Sequence, residues 1–318
     1  MAYWTAERGL LVATLTTPEC RSGSTSCPGG VIEQTVDGGR TWQVIDRTKA
    51  PLDGVAVTGN DVAWVTSGWC GAASPNACRS SLLLRTTDGG ATWTQVTTGT
   101  PVTSVAPVSA TTAWAVAGAS GAAFPLGTGL AHSVDGGRTW QSATDPCRSG
   151  PSGLGLWAVD FSTVDQGWAM CDSEPATDMQ PKAIYWTGNG ATTWQLQSDC
   201  LPLPNAQHPA NVGTLSCIGY LPGLQFRSDG HGWEWADRYG LAATVDGGRT
   251  WTQIARTVVS DDINSVVAAS LVSDDEDYIL IDHPGPEAQC PGCGPQLLGT
   301  SDAGVTWVVL HRWAAPSP

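Results

Sequence analysis

An eight-residue phrase, TVDGGRTW, occupies positions 35 to 42 and returns unchanged at 244 to 251. Variants begin at 86 (TTDGGATW), 133 (SVDGGRTW), 187 (TGNGATTW) and 300 (TSDAGVTW). The central residue falls at Asp37, Asp88, Asp135, Asn189, Asp246 and Asp302, so the phrase recurs about every 50 residues along the whole chain. That period matches one four-stranded blade of a β-propeller. A chain of 318 residues divided this evenly is expected to form one closed array rather than two unlike domains.

The content of each period supports an all-β reading. The chain has 38 Gly and 21 Pro, only three Met and two Lys (Lys49, Lys182), which disfavours long helices and favours short strands with many turns. A short apolar stretch and a turn lead into an aromatic-headed strand, as in DVAWVTSG at 61, TTAWAVAG at 111, DQGWAMCD at 165 and HGWEWADR at 231; ERGLLVAT at 7 and DEDYILID at 275 replace the Trp. A third strand then runs into the phrase, and a fourth leaves from its Trp. Each repeat therefore reads strand A, B, C, phrase, D, with the phrase as the turn of the C–D hairpin.

The expected architecture is a six-bladed propeller of antiparallel four-stranded blades. The blades span approximately 1–50, 51–99, 100–145, 146–200, 201–258 and 259–318. The opening MAYWTA reads as an inner strand and the closing TWVVLHRW as an outer one, so no strand is left to cross between the first and last blades. In the turn, glycines accept positive φ, the Asp carboxylate accepts backbone N–H groups, and the Thr hydroxyl joins the same network. The rings of Trp42, Trp93, Trp140, Trp194, Trp251 and Trp307 are expected to be buried between blades. Six near-identical turns cannot form one active site, which assigns these residues a structural role.

Ten cysteines at local spacings predict five disulfides in an oxidising, extracellular or cell-surface setting: Cys20/Cys27, Cys70/Cys78, Cys147/Cys171, Cys200/Cys217 and Cys290/Cys293. Zinc needs a second CxxC pair beside Cys290 and Cys293, and none follows, so neither metal nor cofactor is expected. A formal charge of -14 repels phosphate backbones, which argues against nucleic acid as a partner. No apolar run approaches the roughly 20 residues of a membrane span, so no membrane insertion is expected. Because successive strands reverse, B–C and D–A loops share the end opposite the repeated turns, and all ten cysteines fall at that end.

The S/T-x-D-x-G-x-T-W phrase is identified as an Asp box, or bacterial neuraminidase repeat. Its pairing with a GW strand most resembles propellers of the photosystem II assembly/stability factor-like family; sialidases, sortilin-type receptor domains and xyloglucan-hydrolysing enzymes share the box. The resemblance covers the whole chain and implies the fold far more specifically than the function. The Phe/Tyr-Arg-Ile-Pro motif that the resemblance to sialidases would require is absent, and Arg40, Arg138 and Arg249 sit in the boxes, at the wrong end for a substrate carboxylate. Other glycosidases need two carboxyls about 5 to 9.5 Å apart. The cysteine-bearing end offers Glu19, Asp145, Asp172, Glu174, Asp178, Asp199, Asp237, Asp282 and Glu287, read as solvated loop acids, and no spacing selects a pair.

The expected function is therefore a non-catalytic extracellular propeller that binds a protein or glycan through its disulfide-stapled loops. A glycoside hydrolase of the Asp-box type is the alternative. Candidate contact residues are Trp69, His208, Tyr220, Asp237, Arg238, Tyr239 and His283 on the loops, with Trp4 and Trp157 beginning inner strands at the rim of the central channel.

Overall fold

A computed structural model of the chain describes residues 1–14, 29–67, 82–98, 101–118, 127–148, 154–173, 179–200, 212–237, 240–254, 266–281 and 294–314. They form a six-bladed β-propeller. Blade 1 is β1 (Ala2–Tyr3), β2 (Gly9–Thr14), β3 (Gly30–Thr35) and β4 (Gln43–Arg47); blade 2 is β5 (Gly54–Thr58), β6 (Val62–Ser67), β7 (Leu82–Thr86) and β8 (Thr94–Gln95). Blade 3 is β9 (Val102–Pro107), β10 (Ala113–Gly118), β11 (Gly127–Ser133) and β12 (Gln141–Ala143). Blade 4 comprises β13 (Gly155–Phe161), β14 (Gly167–Asp172), β15 (Lys182–Thr187) and β16 (Gln195–Asp199), followed by β17 (Gly213–Thr214). Blade 5 is β18 (Tyr220–Phe226), β19 (Gly232–Asp237), β20 (Gly240–Thr244) and β21 (Thr252–Ile254); blade 6 is β22 (Val266–Leu271), β23 (Asp277–Ile281), β24 (Gln296–Thr300) and β25 (Val308–Arg312).

Each blade closes with its own four strands, and β1 pairs with β2 rather than completing blade 6. Two departures from a uniform array cluster around blade 4. Gly127 of β11 pairs with Leu156 of β13, which joins blades 3 and 4 into one ladder. In addition, β17 adds a fifth strand to blade 4 and runs parallel to β16, with Ser198 opposite Gly213 and Asp199 opposite Thr214. The outer strand of a blade leaves one edge of its backbone unpaired, and here the chain itself returns to occupy it.

The repeated turn is a closed hydrogen-bond unit. In blade 1 the Thr35 hydroxyl donates to Asp37 Oδ1 (2.9 Å) and accepts the Gly39 amide (2.8 Å). The Asp37 carboxylate accepts the Thr41 amide (2.9 Å) and the Thr41 hydroxyl (2.6 Å). The same bonds recur around Asp88, Asp135, Asp246 and Asp302. In blade 4 Asn189 preserves the network by reversing one donor: its side-chain amide donates to Thr193 Oγ1 (2.9 Å), while its Oδ1 still accepts the Thr193 amide (3.0 Å). Gly39 has φ of 85°, and a Cβ there would stand 2.2 Å from Leu297 and 2.5 Å from the Tyr3 hydroxyl, so packing as well as backbone conformation demands glycine.

Aromatic rings from these turns lock neighbouring blades. Phe161 of blade 4 stacks on Trp114 of blade 3 with centroids 4.2 Å apart, and Trp194 meets Phe161 edge-on. Phe226 of blade 5 repeats the arrangement with Trp168 of blade 4 and with Trp251. Trp140 meets Trp64, Trp307 meets Trp233, and Trp93 packs against the cluster containing Leu10 and Ile32. Of the six turn tryptophans only Trp307 is buried; Trp42, Trp93, Trp140, Trp194 and Trp251 are half-buried, which falls short of the burial expected for them. Offset and edge-to-face pairs of this kind contribute about 0.5–1.5 kcal/mol beyond their buried area.

Candidate functional site

The two ends of the ring differ in what they carry. At one end, every repeated turn is bonded to the A–B turn of its own blade: Gly38 N to Glu7 O, Gly89 to Asp61, Gly136 to Thr111, Gly190 to Asp165, Gly247 to Gly230, and Ala303 to Asp275. This end is built six times from one plan. The other end carries both described disulfides. Cys147, in a single 3-10 turn ahead of β13, joins Cys171 near the end of β14; Cys200, just past β16, joins Cys217 ahead of β18. Both bridges match the pairs expected from spacing, and no described cysteine is free. Cys20, Cys27, Cys70, Cys78, Cys290 and Cys293 lie outside the described residues.

Beneath the Cys200–Cys217 bridge lies a charge cluster that spacing did not reveal. Lys182 Nζ contacts Glu234 Oε1 at 2.8 Å across the interface of blades 4 and 5, and both side chains are fully buried. The same ammonium donates to Ile218 O (3.3 Å), in the segment that the bridge holds. Asp172, also fully buried, accepts Gln180 Nε2 at 2.9 Å. Burial pushes the Asp172 and Glu234 carboxyls up, and the Lys182 charge opposes that rise in both. Asp172 Oδ1 and Glu234 Oε2 have no hydrogen-bond partner.

For three of the nine loop acids the reading as solvated is corrected, while Glu19, Glu174, Asp178, Asp282 and Glu287 lie outside the described residues. Asp145, Asp172 and Asp199 are buried, and Asp145 accepts the Cys147 amide at 2.9 Å and meets Arg148 at 3.5 Å. One signal for the cluster was present in the sequence: Lys182 is one of two lysines in the chain and heads an otherwise apolar strand, KAIYWT.

The candidate contact residues separate into four groups. Tyr220 opens β18 and is the register partner of Asp237, the last residue of β19, so these two are brought together at the disulfide-bearing end. Trp157 is the bulged residue where the β13–β14 register slips, and it packs partly buried against the cluster of Trp168 and Leu215. Trp4 does not begin a strand. It follows β1 inside the A–B turn, at the repeated-turn end, where its indole donates to Val62 O (2.9 Å) beneath the Arg8 guanidinium. The expectation failed because β1 is only two residues long and ends at Tyr3. Trp69, His208, Arg238, Tyr239 and His283 lie outside the described residues.

The six inner strands enclose an axial cavity of about 350 Å³. Side chains of these strands fasten blade to blade around it. Asp160 Oδ2 accepts the Phe226 amide at 2.6 Å, Gln225 Oε1 the Leu271 amide at 2.8 Å, and Ser270 Oγ the Tyr3 amide at 3.0 Å. Burial pushes the Asp160 carboxyl up to about 7, against the pull of the Phe226 and Phe161 amides. Among the described residues no group of His, Cys, Asp and Glu is arranged to hold a metal ion, and no helix is long and apolar enough to cross a membrane.

No protein-family model matches the sequence, and no curated protein does. Similar solved structures are propellers of low identity. A protein of unknown function from Dyadobacter fermentans is 12% identical, with 94% of this chain and 92% of that one covered at a TM-score of 0.56. The GH74 xyloglucanase from Xanthomonas campestris is 15% identical over 97% of this chain and 46% of its own, at 0.53. YCF48 bound to D1 peptide is 16% identical over 97% and 78%, at 0.49. The likeness to the first two of these establishes the fold alone.

Proposed function

We propose that this chain is a non-catalytic Asp-box propeller that binds a protein or a glycan through its disulfide-bearing end, outside the cell or at its surface. The observation that carries this reading is the asymmetry between the ends. One end repeats a single hydrogen-bonded turn six times and offers little to distinguish a partner. The other differs from blade to blade, carries the Cys147–Cys171 and Cys200–Cys217 bridges, and sets Tyr220 beside Asp237. Loops held on a rigid scaffold are where recognition commonly resides. Trp69, Arg238, Tyr239 and His283 stand in sequence between strands B and C of their blades, and His208 between β16 and β17 of blade 4.

A glycoside hydrolase on the same scaffold is the competing class. The two acids gathered around Lys182 are withheld from a substrate by complete burial, which favours binding over hydrolysis.

The test is a glycan array together with a pull-down of secreted proteins. Wild type is compared with W69A/Y239A and with the opposite-end variant R40E/R249E, at matched thermal stability. Binding reduced by the first variant and kept by the second is the expected result. The reverse pattern would move the contact surface to the repeated-turn end. Turnover of β-glucan or sialoside substrates by the wild type would make the protein an enzyme instead.

A further inference from the structure

Lys182, Asp172 and Glu234 are fully buried where blade 4 faces blade 5, and binding at the loop face uses none of them. Lys182 is held on both sides: its register partner on β14 is Asp172, and its carbonyl accepts the Cys200 amide beyond β16. Residues directly opposite in an antiparallel pair share one face, with Cβ atoms about 4.5–5.5 Å apart. Glu234 is equally fixed, between Leu224 and Ala242 in the sheet of blade 5. The Lys182 amine therefore meets the Glu234 carboxyl at 2.8 Å with little freedom on either side.

Two observations point beyond a static ion pair. A buried carboxylate is well accommodated only when its oxygens are satisfied, yet Glu234 Oε2 and Asp172 Oδ1 have no hydrogen-bond partner. Burial also pushes both carboxyls up, toward the uncharged acid. Joining Lys182 Nζ to Glu234 Cδ as an amide removes both charges of the pair and the stranded Oε2 together. Groups held in contact in this way react with effective molarities of about 10⁵–10⁸ M. Complete burial keeps out the water that would hydrolyse the product.

We propose that Lys182 and Glu234 condense into an isopeptide bond that ties blade 4 to blade 5, with Asp172 as the proton carrier. Asp172 takes a proton from the ammonium and passes it to Glu234 Oε2. The lone pair freed on Nζ attacks Cδ, a second N–H proton follows the same route, and the Cδ–Oε2 bond breaks with its electron pair. One water leaves, one N–H remains on the new amide beside Ile218 O, and Asp172 ends as it began. Blade 5 forms a sheet of its own, so this seam has no backbone ladder, and the amide fastens it. Unlike the Cys200–Cys217 bridge above it, the bond resists reductants. It is independent of the loop face assigned above.

Intact mass spectrometry of the full chain, reduced and alkylated, is expected to find it lighter than its sequence by one water. Asp–Gly steps such as Asp37–Gly38 also lose water, as succinimides, so the peptides decide. A protease digest of the wild type should yield Lys182 and Glu234 in one branched peptide, a reading that needs no variant to fold. Lys182→Arg keeps the cation but has no attacking amine, and should restore the full mass. Asp172→Asn keeps the cross-strand shape and should slow formation roughly 100-fold or more in a time course after refolding. Wild-type Lys182 and Glu234 recovered only in separate peptides, a branch to Asp172 instead of Glu234, or a D172N chain that links as fast as wild type each overturns the proposal.

Discussion

Tyr3 stacks on Tyr278 with ring centroids 3.9 Å apart and planes 7° from parallel, across the seam where blade 1 meets blade 6. No shared sheet closes this seam, so side chains must. Beside the stack, the Tyr3 amide bonds Ser270 Oγ, the Tyr278 hydroxyl donates to Ala6 O, the His311 ring meets Arg40 O at 3.0 Å, and Trp42 leans on Trp313. Tyr278→Ala should therefore cost about 3–5 kcal/mol by removing a buried ring. Tyr278→Phe should cost about 1 kcal/mol, whereas Tyr3→Phe should be neutral or stabilising, because the Tyr3 hydroxyl is buried without a partner. Urea unfolding of the three variants checks the order; a larger loss in Tyr3→Phe than in Tyr278→Phe contradicts this account of the seam.

Within the repeated turn, the hydroxyl is the least replaceable group. Thr35 is completely buried and serves both the Asp37 carboxylate and the Gly39 amide. Thr35→Val preserves shape but strands that amide, for an expected loss of about 1–3 kcal/mol. Asp135→Asn should shift the unfolding midpoint far less, since Asn189 already performs the same task in blade 4. Parallel denaturation of both variants distinguishes the two effects.

Stability should peak in mild acid. Hydrogen bonds from Thr41, Thr92 and Thr139 hold Asp37, Asp88 and Asp135 down at about 2, against an unfolded value of 3.8. Between those values the unfolded chain holds more protons, so stability rises from about pH 2 to about pH 4. Burial acts in the opposite direction on Asp160, raised to about 7, and on Asp277, raised to about 6. There the folded chain holds more protons, so stability falls as pH climbs from about 4 to about 7. A thermal melting series across pH 2 to 9 should show this maximum, and Asp160→Asn should flatten its neutral side.

Removing Lys182 should leave two buried carboxyls without their cation. Lys182→Met is expected to cost about 3–5 kcal/mol, and adding Glu234→Leu should recover part of the loss by deleting one stranded acid. The double variant being no more stable than the single one, in guanidinium titrations at pH 7, would refute the assignment of Glu234 as the main partner.

The number of blades, the turn that repeats in each, and the Cys147–Cys171 and Cys200–Cys217 pairs were all legible in the sequence. Each is local: a hairpin turn states its requirements in eight consecutive residues, and a short bridge closes over a spacing that can be counted. The axial and inter-blade relationships were not legible, because they join residues whose proximity depends on how blades are rotated and staggered about the axis. Lys182 meets Glu234 from 52 positions away, Asp160 holds the Phe226 amide from 66 away, and Trp235 reaches the channel only because Gly223 is missing a side chain on a different strand. Trp4 shows the same limit at the smallest scale. Whether it begins an inner strand or belongs to the turn beyond it was decided by β1 ending one residue earlier, at Tyr3, where Ser270 of the last blade takes the backbone amide.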